Sequence, residues 1–141
     1  MSELNTIRIA AAVIMDKKGR LLLVRKRGTL FFMQPGGKIE PGEDAQSALV
    51  RELREELNIE ITPEELTPLG EFTDIAANEP GHQLHACMFR TANWIQDVQP
   101  AAEIEEILWL SPSDTTSHQL APLTANKIVP RVWPSALQTT G

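Results

Sequence analysis

The chain has 141 residues, 42% of them hydrophobic and 23% charged, a composition that is ordinary for a folded globular protein. We expect a single domain over residues 1–141 with an adequate core. The formal net charge of −6 argues against an electrostatic grip on duplex nucleic acid. A small phosphate substrate is still compatible with this charge, because bound cations would reverse it locally.

The cellular setting is predicted from what the sequence lacks. No apolar run approaches the roughly 20 residues of a membrane-spanning helix, so no membrane partner is expected. The start, MSELNT, has no basic region of the kind that opens a signal peptide. Cys87 is the single cysteine, so an intrachain disulfide is impossible. These features favour a cytoplasmic protein.

The first part of the chain predicts a β-hairpin. Ile7 to Met15 is apolar and rich in strand-forming residues, residues 16–19 form a polar turn, and Arg20 to Val24 returns as a second strand. A loop is predicted from Arg27 to Phe32, and a short extended segment from Met33 to Gly36. These elements bring the chain to a turn that precedes a helix.

That turn is rich in glycine. Gly36, Gly37 and Gly42 relax the backbone, and Pro41 followed by Gly42 predicts a tight turn. Glycine lets the main chain approach a ligand or a metal closely. A free carbonyl in this turn could therefore complete a coordination shell.

A helix is predicted from Ala45 to Leu57, with Asp44 as its N-cap. At about 100° per residue, one side of this helix forms an apolar stripe that should face a core. The stripe consists of Ala45, Leu49, Leu53 and Leu57. Glu56 lies about 20° from Leu49 on the same winding, so we expect its side chain to be incompletely solvated.

Three glutamates of this helix, Glu52, Glu55 and Glu56, stand at i, i+3 and i+4 and share one surface. They repel one another, and they lie in the C-terminal half, where the helix dipole disfavours negative charge. Folding alone does not favour this pattern, whereas a cluster of oxygen ligands suits Mg²⁺ or Mn²⁺. The alternative is a solvated charged face with Arg51 and Arg54 as counterions.

The second half of the chain predicts three further strands and a helix. The strands run from Thr67 to Ile75, from Gln83 to Arg90 and from Ile104 to Leu110. Leu120 to Val132 is predicted to be helical, with a break or a kink at Pro130. The order of the elements therefore indicates a mixed α and β protein.

Two histidines and the cysteine lie at or near the start of the strand at Gln83 to Arg90. His82 and His85 fall on opposite faces if the strand is regular, so a joint metal site is not expected. Either histidine could touch a substrate. We expect Cys87 to be a small buried hydrophobic side chain.

The segment from Gly37 to Ile59 resembles the Nudix box, G-x5-E-x7-R-E-U-x-E-E-x-G-U, in which U is a bulky aliphatic residue. Eight of its nine defined positions match. They are Gly37, Glu43, Arg51, Glu52, Leu53, Glu55, Glu56 and Ile59. Asn58 stands where the family usually has glycine; this position follows the helix end, where asparagine is the next most tolerant residue.

The resemblance implies a Nudix fold, an α/β/α sandwich with a central mixed β-sheet, over nearly the whole chain. It also implies a pyrophosphohydrolase that cleaves a diphosphate linkage in a nucleoside diphosphate derivative with Mg²⁺, or with Mn²⁺ in its place. The implied metal ligands are Gly37 through its carbonyl, Glu52, Glu55, Glu56 and Glu103. The helix acids Glu52, Glu55 and Glu56 are the implied catalytic residues. Glu55, Glu56 or a distal glutamate would take the proton of the attacking water.

The distal glutamate is expected from a second acidic cluster, Glu103, Glu105 and Glu106, near the start of the last strand. Family members recruit a further glutamate from this region, as a metal ligand or as the base. Glu103 is preferred by its position relative to Trp109, and Glu106 comes next. The alternative is that all three line an exposed edge, where charge discourages strand pairing.

Substrate contacts are implied for the basic run at residues 25–27 and for the loop before the box. Arg25 and Arg27 are the predicted phosphate contacts. Arg25 is preferred because alternation along a strand turns it away from Val24, and a solvated basic loop is the alternative. Phe32 is predicted to stack on a base, although at least one member of the set Phe31, Phe32 and Met33 should lie in the core.

The remaining acidic and basic positions of the box have a structural role in this interpretation. Arg51 is expected to form a salt bridge with Glu43 that ties the loop to the helix. The contact would hold the geometry of the site without taking part in the chemistry.

The substrate remains open among several nucleotides. The string PGGKIEPGE is similar to that of MutT-like enzymes, which implies a (d)NTP or an oxidised dNTP. ADP-ribose, nucleotide sugars and dinucleoside polyphosphates are alternatives. Two other classes remain, a non-catalytic nucleotide-binding or regulatory module and an isoprenoid diphosphate isomerase. The intact box counts against both. Many relatives are dimers, so a homodimer is possible.

Overall fold

The computed structural model describes residues 5–91 and 98–134. The chain forms six strands and two α-helices within these ranges. The strands are β1 (Asn5–Val13), β2 (Leu21–Lys26), β3 (Gly36–Lys38), β4 (Thr67–Ile75), β5 (His82–Arg90) and β6 (Ile104–Leu110). The helices are α1 (Ala45–Leu57) and α2 (Val129–Val132). No helix in the described part of the chain is long and apolar enough to cross a membrane.

The strands form two sheets. The larger sheet has the order β3-β1-β5-β4, with β1 and β5 parallel and the other pairs antiparallel, and the smaller one pairs β2 with β6. The predicted hairpin between the first two strands is present only at its turn. Met15 and Leu21 form an antiparallel bridge, the amide of Asp16 donates to the carbonyl of Arg20, and the amide of Leu22 donates to the carbonyl of Ile14. The pairing does not extend further, because both edges of β1 are occupied by β3 and β5.

Helix α1 has the predicted bounds, and both of its ends are capped as its sequence predicts. The carboxylate of Asp44 accepts a hydrogen bond from the amide of Ser47 at 2.7 Å. Asn58 ends the helix in the left-handed region at φ 56°, and its amide donates to the carbonyl of Arg54. The helix therefore begins and ends at signals that lie within the box itself.

The larger sheet is covered on both faces. One face packs under α1, where Leu49, Leu53 and Leu57 are fully buried against Ala10 and Ala12 of β1. On the opposite face, the C-terminal helical segment packs against the sheet and forms a second apolar cluster with it. This cluster contains Ala11, Val13, Met88, Leu123 and Ile128. The result is the predicted α/β/α arrangement around a mixed sheet.

The C-terminal helical segment is irregular where the sequence predicts a break or a kink. Residues Thr124–Ile128 form a π-helical turn directly before Pro130, and the amide of Val129 donates to the carbonyl of Thr124. Proline has no amide to donate. The wider turn lets the helix continue through Pro130 to Val132.

Candidate active site

Arg51 of α1 joins the loop before the helix to the acids on it. Its Nε and Nη2 donate to the two carboxylate oxygens of Glu43, each at 2.9 Å. Its Nη1 donates to Glu52 at 2.9 Å and to Glu55 at 3.4 Å. The hydrogen bonds from Arg51 lower the pKa of Glu43 from 4.5 to about 2. One guanidinium therefore fixes the loop and partly neutralises two of the three helix acids.

Glu56 is the most unusual acid of the helix. Its side chain is 2% exposed, and neither carboxylate oxygen has a hydrogen-bond partner of normal geometry among the described residues. Burial raises its pKa from 4.5 to about 7, and the negative charge of Glu52 adds to this rise. The positive charge of Lys26 opposes it. A buried carboxylate without a partner is costly, which indicates that a cation belongs here.

The glycines of β3 bring main chain against the helix acids. A Cβ at Gly37 would collide with the side chain of Glu52, so a larger residue there would displace this carboxylate. At Gly36, φ is 150°, and a Cβ would collide with the carbonyl of Ala10. Burial also raises the pKa of Glu52. The main chain at Gly37 therefore lies against the side chain of Glu52, and the role of its carbonyl as a metal ligand stays a prediction.

These residues fit a hard divalent cation. Every donor in the set is an oxygen, supplied by Glu52, Glu55, Glu56 and the main chain at Gly37, which is the ligand type that Mg²⁺ and Mn²⁺ prefer. The oxygens of Glu56 lack a normal hydrogen-bond partner among the described residues, and the pKa values of Glu52 and Glu56 are both raised. A positive charge between these two carboxylates would stabilise their ionised forms.

Of the two distal glutamates, Glu103 is the one near the box. Its charge contributes to the raised pKa of Glu56, and its carboxylate lies 3.8 Å from the ammonium of Lys26. Glu106 is instead paired with Arg25 at 2.8 Å, across β2 and β6. This geometry supports the preference for Glu103, while a role in metal binding stays a prediction.

The predicted phosphate contacts, Arg25 and Arg27, are paired with glutamates of β6. Arg25 also donates to the carbonyl of Thr29 at 2.8 Å, so its guanidinium is held on both sides. Arg27 is 69% exposed and lies 3.8 Å from Glu105. Lys26 is instead the basic residue whose charge acts on both Glu52 and Glu56. The register shift at this point pairs Arg25 with Glu106 and Lys26 with Ile104, so the extra residue, Glu105, lies on β6.

The loop before β3 places its aromatic and polar residues differently from the sequence prediction. Phe32 is 8% exposed and packs in the core against the edge of His118, which agrees with a core role rather than a stacking surface. Gln34 was not singled out. Its amide oxygen accepts from the buried hydroxyl of Thr124 at 2.9 Å, and its amide nitrogen has no partner among the described residues. Gln34 differs from an ordinary loop residue only through its hydrogen bond with Thr124, which is 90 residues away in the sequence.

The described residues also form a pocket of about 130 Å³ on the face of the larger sheet that packs under the C-terminal helical segment. It is lined by Val13, Leu69, Arg90, Ile128, Arg131 and Val132. None of the predicted site residues lines it. The pocket therefore carries no part of the site described above.

Comparison with known proteins decides the family. The chain matches the family model of the NUDIX domain over residues 5–132. The chain belongs to the Nudix family. It is 32% identical over 124 residues to the CTP pyrophosphohydrolase of Escherichia coli strain K12, covering 84% of this chain and 86% of that protein. A shorter match, 36% identical over 66 residues, reaches the 8-oxo-dGTP diphosphatase of Proteus vulgaris and covers 44% of this chain and 59% of that protein.

Solved structures agree with the Nudix assignment. The crystal structure of a MutT protein from Methanosarcina mazei Go1 matches with a TM-score of 0.76 at 22% identity, over 96% of this chain and 98% of that one. The solution structure of the E. coli ORF135 protein matches with a TM-score of 0.70 at 27% identity, over 98% and 96%. The predicted Nudix fold is confirmed. The chain is a hydrolase of phosphoanhydride bonds in nucleotides, in a family that depends on divalent metals.

Proposed function

We propose that this Nudix protein is a Mg²⁺-dependent pyrophosphohydrolase of nucleoside triphosphates, with Mn²⁺ as a substitute ion, and that CTP and related (d)NTPs are its first substrates to test. The observation that carries the metal assignment is the buried carboxylate of Glu56, which has no hydrogen bond of normal geometry to any described residue and lies beside the half-buried Glu52. The choice of nucleotide rests on similarity to a CTP pyrophosphohydrolase over most of both chains.

Glu52, Glu55, Glu56, the Gly37 carbonyl and Glu103 are proposed to hold the metal. When bound, the metal supplies charge neutralisation for the diphosphate and lowers the pKa of a coordinated water. Glu43 and Arg51 keep these groups in place, because their paired hydrogen bonds fix the glycine-rich loop on α1. Removing either member would loosen the loop rather than delete a ligand.

The proton of the attacking water needs an acceptor among the same acids. Glu56 has a pKa of about 7 before a cation binds, and a cation beside it would favour the ionised form. Glu55 is exposed and bonded only weakly to Arg51 at 3.4 Å, so it could exchange protons with solvent. We propose Glu55 as the residue that accepts the proton, with Glu56 committed to the metal.

Binding of the nucleotide is assigned to Lys26, which lies beside the acids, and to Gln34 of the loop before β3. The ammonium of Lys26 lies beside Glu103 and acts on Glu52 and Glu56, so it is positioned to contact a phosphate held there. The amide nitrogen of Gln34 is buried and has no hydrogen-bond partner among the described residues; its N–H groups would donate to a carbonyl of the base, while Thr124 orients the amide. Arg25 on β2 and Arg27 just after it are left with structural roles, paired with Glu106 and Glu105.

The test is a hydrolysis screen with products resolved by chromatography. The panel contains unmodified and oxidised (d)NTPs, ADP-ribose, nucleotide sugars and dinucleoside polyphosphates, each with Mg²⁺, with Mn²⁺ and with chelator. We expect metal-dependent cleavage of a nucleoside triphosphate to the monophosphate and pyrophosphate. Preference for ADP-ribose or a dinucleoside polyphosphate would reassign the substrate. Absence of turnover with every compound would favour a nucleotide-binding module.

A further inference from the structure

Three residues with different ligand atoms meet on β4 and β5, away from the box. Glu71, His85 and Cys87 each direct one potential ligand atom into a common space, and all three atoms lie within 4.8 Å of one another. The Nε2 of His85 is 2.5 Å from a carboxylate oxygen of Glu71. None of the three residues has a part in the proposed hydrolysis.

The strand pairing explains why these side chains meet. Glu71 and Cys87 are direct partners across the antiparallel β4–β5 pair, so their side chains leave the same face of the sheet side by side. His85 precedes Cys87 by two residues on β5 and therefore shares that face. Regular backbone on two adjacent strands thus holds the cluster, so its geometry does not depend on a loop.

The spacing is close to what a tetrahedral ion requires. Ligand bonds of about 2.0–2.3 Å to zinc place neighbouring ligand atoms roughly 3.4–3.8 Å apart. The three ligand atoms lie within 4.8 Å of one another, a limit about one ångström longer than this spacing. Rotation of the side chains can bring the atoms that much closer. Glu71 is exposed and His85 and Cys87 are half-buried, so an ion can enter from solvent.

We propose that Glu71, His85 and Cys87 form a second metal site that binds Zn²⁺ and leaves a fourth position for water. A thiolate, an imidazole and a carboxylate are the ligands zinc prefers, whereas Mg²⁺ prefers oxygen alone. The expectation that Cys87 is simply a small buried hydrophobic residue is thereby incomplete. It packs at the margin of the core under α1, with its sulfur beside two further ligand atoms.

The site is separate from the box, although both lie on one face of the sheet. A row of paired residues crosses the larger sheet in the order Gly37, Ala10, Cys87 and Glu71. At about 4.8 Å between strands, two steps to β5 and three to β4 place the cluster roughly 10–14 Å from Gly37. The two sites can therefore be loaded independently, and a mutation in one leaves the ligands of the other intact.

The charge of the site suits a divalent cation. A thiolate at Cys87 and the carboxylate of Glu71 together balance the two positive charges of Zn²⁺. Arg8 pairs with His85 from β1, but its side chain is exposed and screened by solvent. Since β4 is an edge strand of the sheet, an ion shared between β4 and β5 would hold that edge and raise the melting temperature.

The experiment is a titration of the reduced full chain with Co²⁺ as a spectroscopic substitute for Zn²⁺, in excess Mg²⁺. Because Cys87 is the single cysteine, a thiolate-to-cobalt charge-transfer band can arise only from this site. We expect such a band with tetrahedral d–d bands at one ion per chain, reversal by Zn²⁺, and a rise in melting temperature with Zn²⁺. Glu56→Gln should leave all of these unchanged, which separates the site from the box.

Matched variants distinguish a built site from a lone thiol. Cys87→Ser should abolish the band, and His85→Gln and Glu71→Gln should each weaken Co²⁺ binding about 10–100-fold. His82→Gln, on the opposite face of β5, is the control and should bind as the parent does. The proposal is overturned if no charge-transfer band appears. It is also overturned if His85→Gln and Glu71→Gln bind as tightly as the parent, both variants being checked for folding by circular dichroism.

Discussion

Arg51 and Glu43 form a two-point ion pair in which Nε and Nη2 of the arginine reach the two oxygens of the glutamate at 2.9 Å each. The pair spans the glycine-rich loop and α1, which are the two halves of the Nudix box. Because Arg51 also bonds to Glu52, the position of a metal-binding acid depends on the same guanidinium. Stability of the fold and geometry of the site are coupled through this residue.

The first prediction concerns stability in acid. The pKa of Glu43 is lowered to about 2 in the folded protein, against 4.5 ordinarily, so its ion pair stabilises the fold above about pH 4.5. That contribution should be lost progressively as the pH falls toward 2. Glu43→Gln should lack this part of the acid dependence, as thermal unfolding between pH 2 and 7 would reveal. Parallel curves for parent and variant would contradict the assignment.

The second prediction concerns Glu56 in the metal-free protein. With its pKa raised from 4.5 to about 7, the folded state retains a proton that the unfolded chain releases between these values. Stability of the parent in chelator should therefore fall as the pH rises from 4.5 to 7 and then level off. Glu56→Gln should not show this fall and should melt higher than the parent at pH 8. An equal dependence in both proteins would rule out the buried acid as its origin.

A third prediction tests Lys26 as the phosphate contact. Lys26→Met removes an ammonium that acts on Glu52 and Glu56, so we expect kcat/KM to fall about 10–100-fold, the value of one to two hydrogen bonds to a charged group. Arg27→Met is the matched control, because Arg27 is 69% exposed and pairs with Glu105. Steady-state kinetics would decide; an equal loss in both variants would point to a general effect of positive charge.

A fourth prediction tests Gln34 as a contact to the base. Gln34→Met keeps a side chain of similar size and removes the unpartnered amide nitrogen. We expect preference among nucleoside triphosphates to weaken about 10-fold, as for loss of one hydrogen bond. Thr124→Ser retains the hydroxyl that donates to Gln34 and should keep the parent's preference. An unchanged ratio of kcat/KM values in Gln34→Met would exclude this role.

The bounds of α1 and the position of its acids could be predicted from the sequence, because the residues that specify them are close together in the chain. A capping aspartate, an apolar stripe and the 3–4 spacing of Glu52, Glu55 and Glu56 are all contained in one turn-and-helix segment. The burial of Glu56 followed from the same winding, which placed it at the edge of the stripe. Helical periodicity converts spacing directly into orientation.

Features that depend on distant pairing could not be predicted in this way. The hairpin forms only next to its turn, because β1 takes β3 and β5 as partners, and nothing near residues 16–19 records that competition. Arg25 was preferred because strand alternation turns it away from Val24, but its ion pair with Glu106 forms only once β2 lies beside β6. The contact between Gln34 and Thr124, and the cluster at Glu71, His85 and Cys87, exist only once separate segments have come together.

The most direct test of the proposed chemistry is Mg²⁺-dependent hydrolysis of the preferred nucleotide by the parent, Glu56→Gln and Glu64→Gln. Glu64 is an exposed glutamate just beyond the box, so Glu64→Gln makes the same chemical change without touching the site. We predict that Glu56→Gln lowers kcat at least about 100-fold while remaining folded, and that Glu64→Gln matches the parent. Turnover by Glu56→Gln at the parental rate would contradict the assignment of the buried carboxylate to the metal.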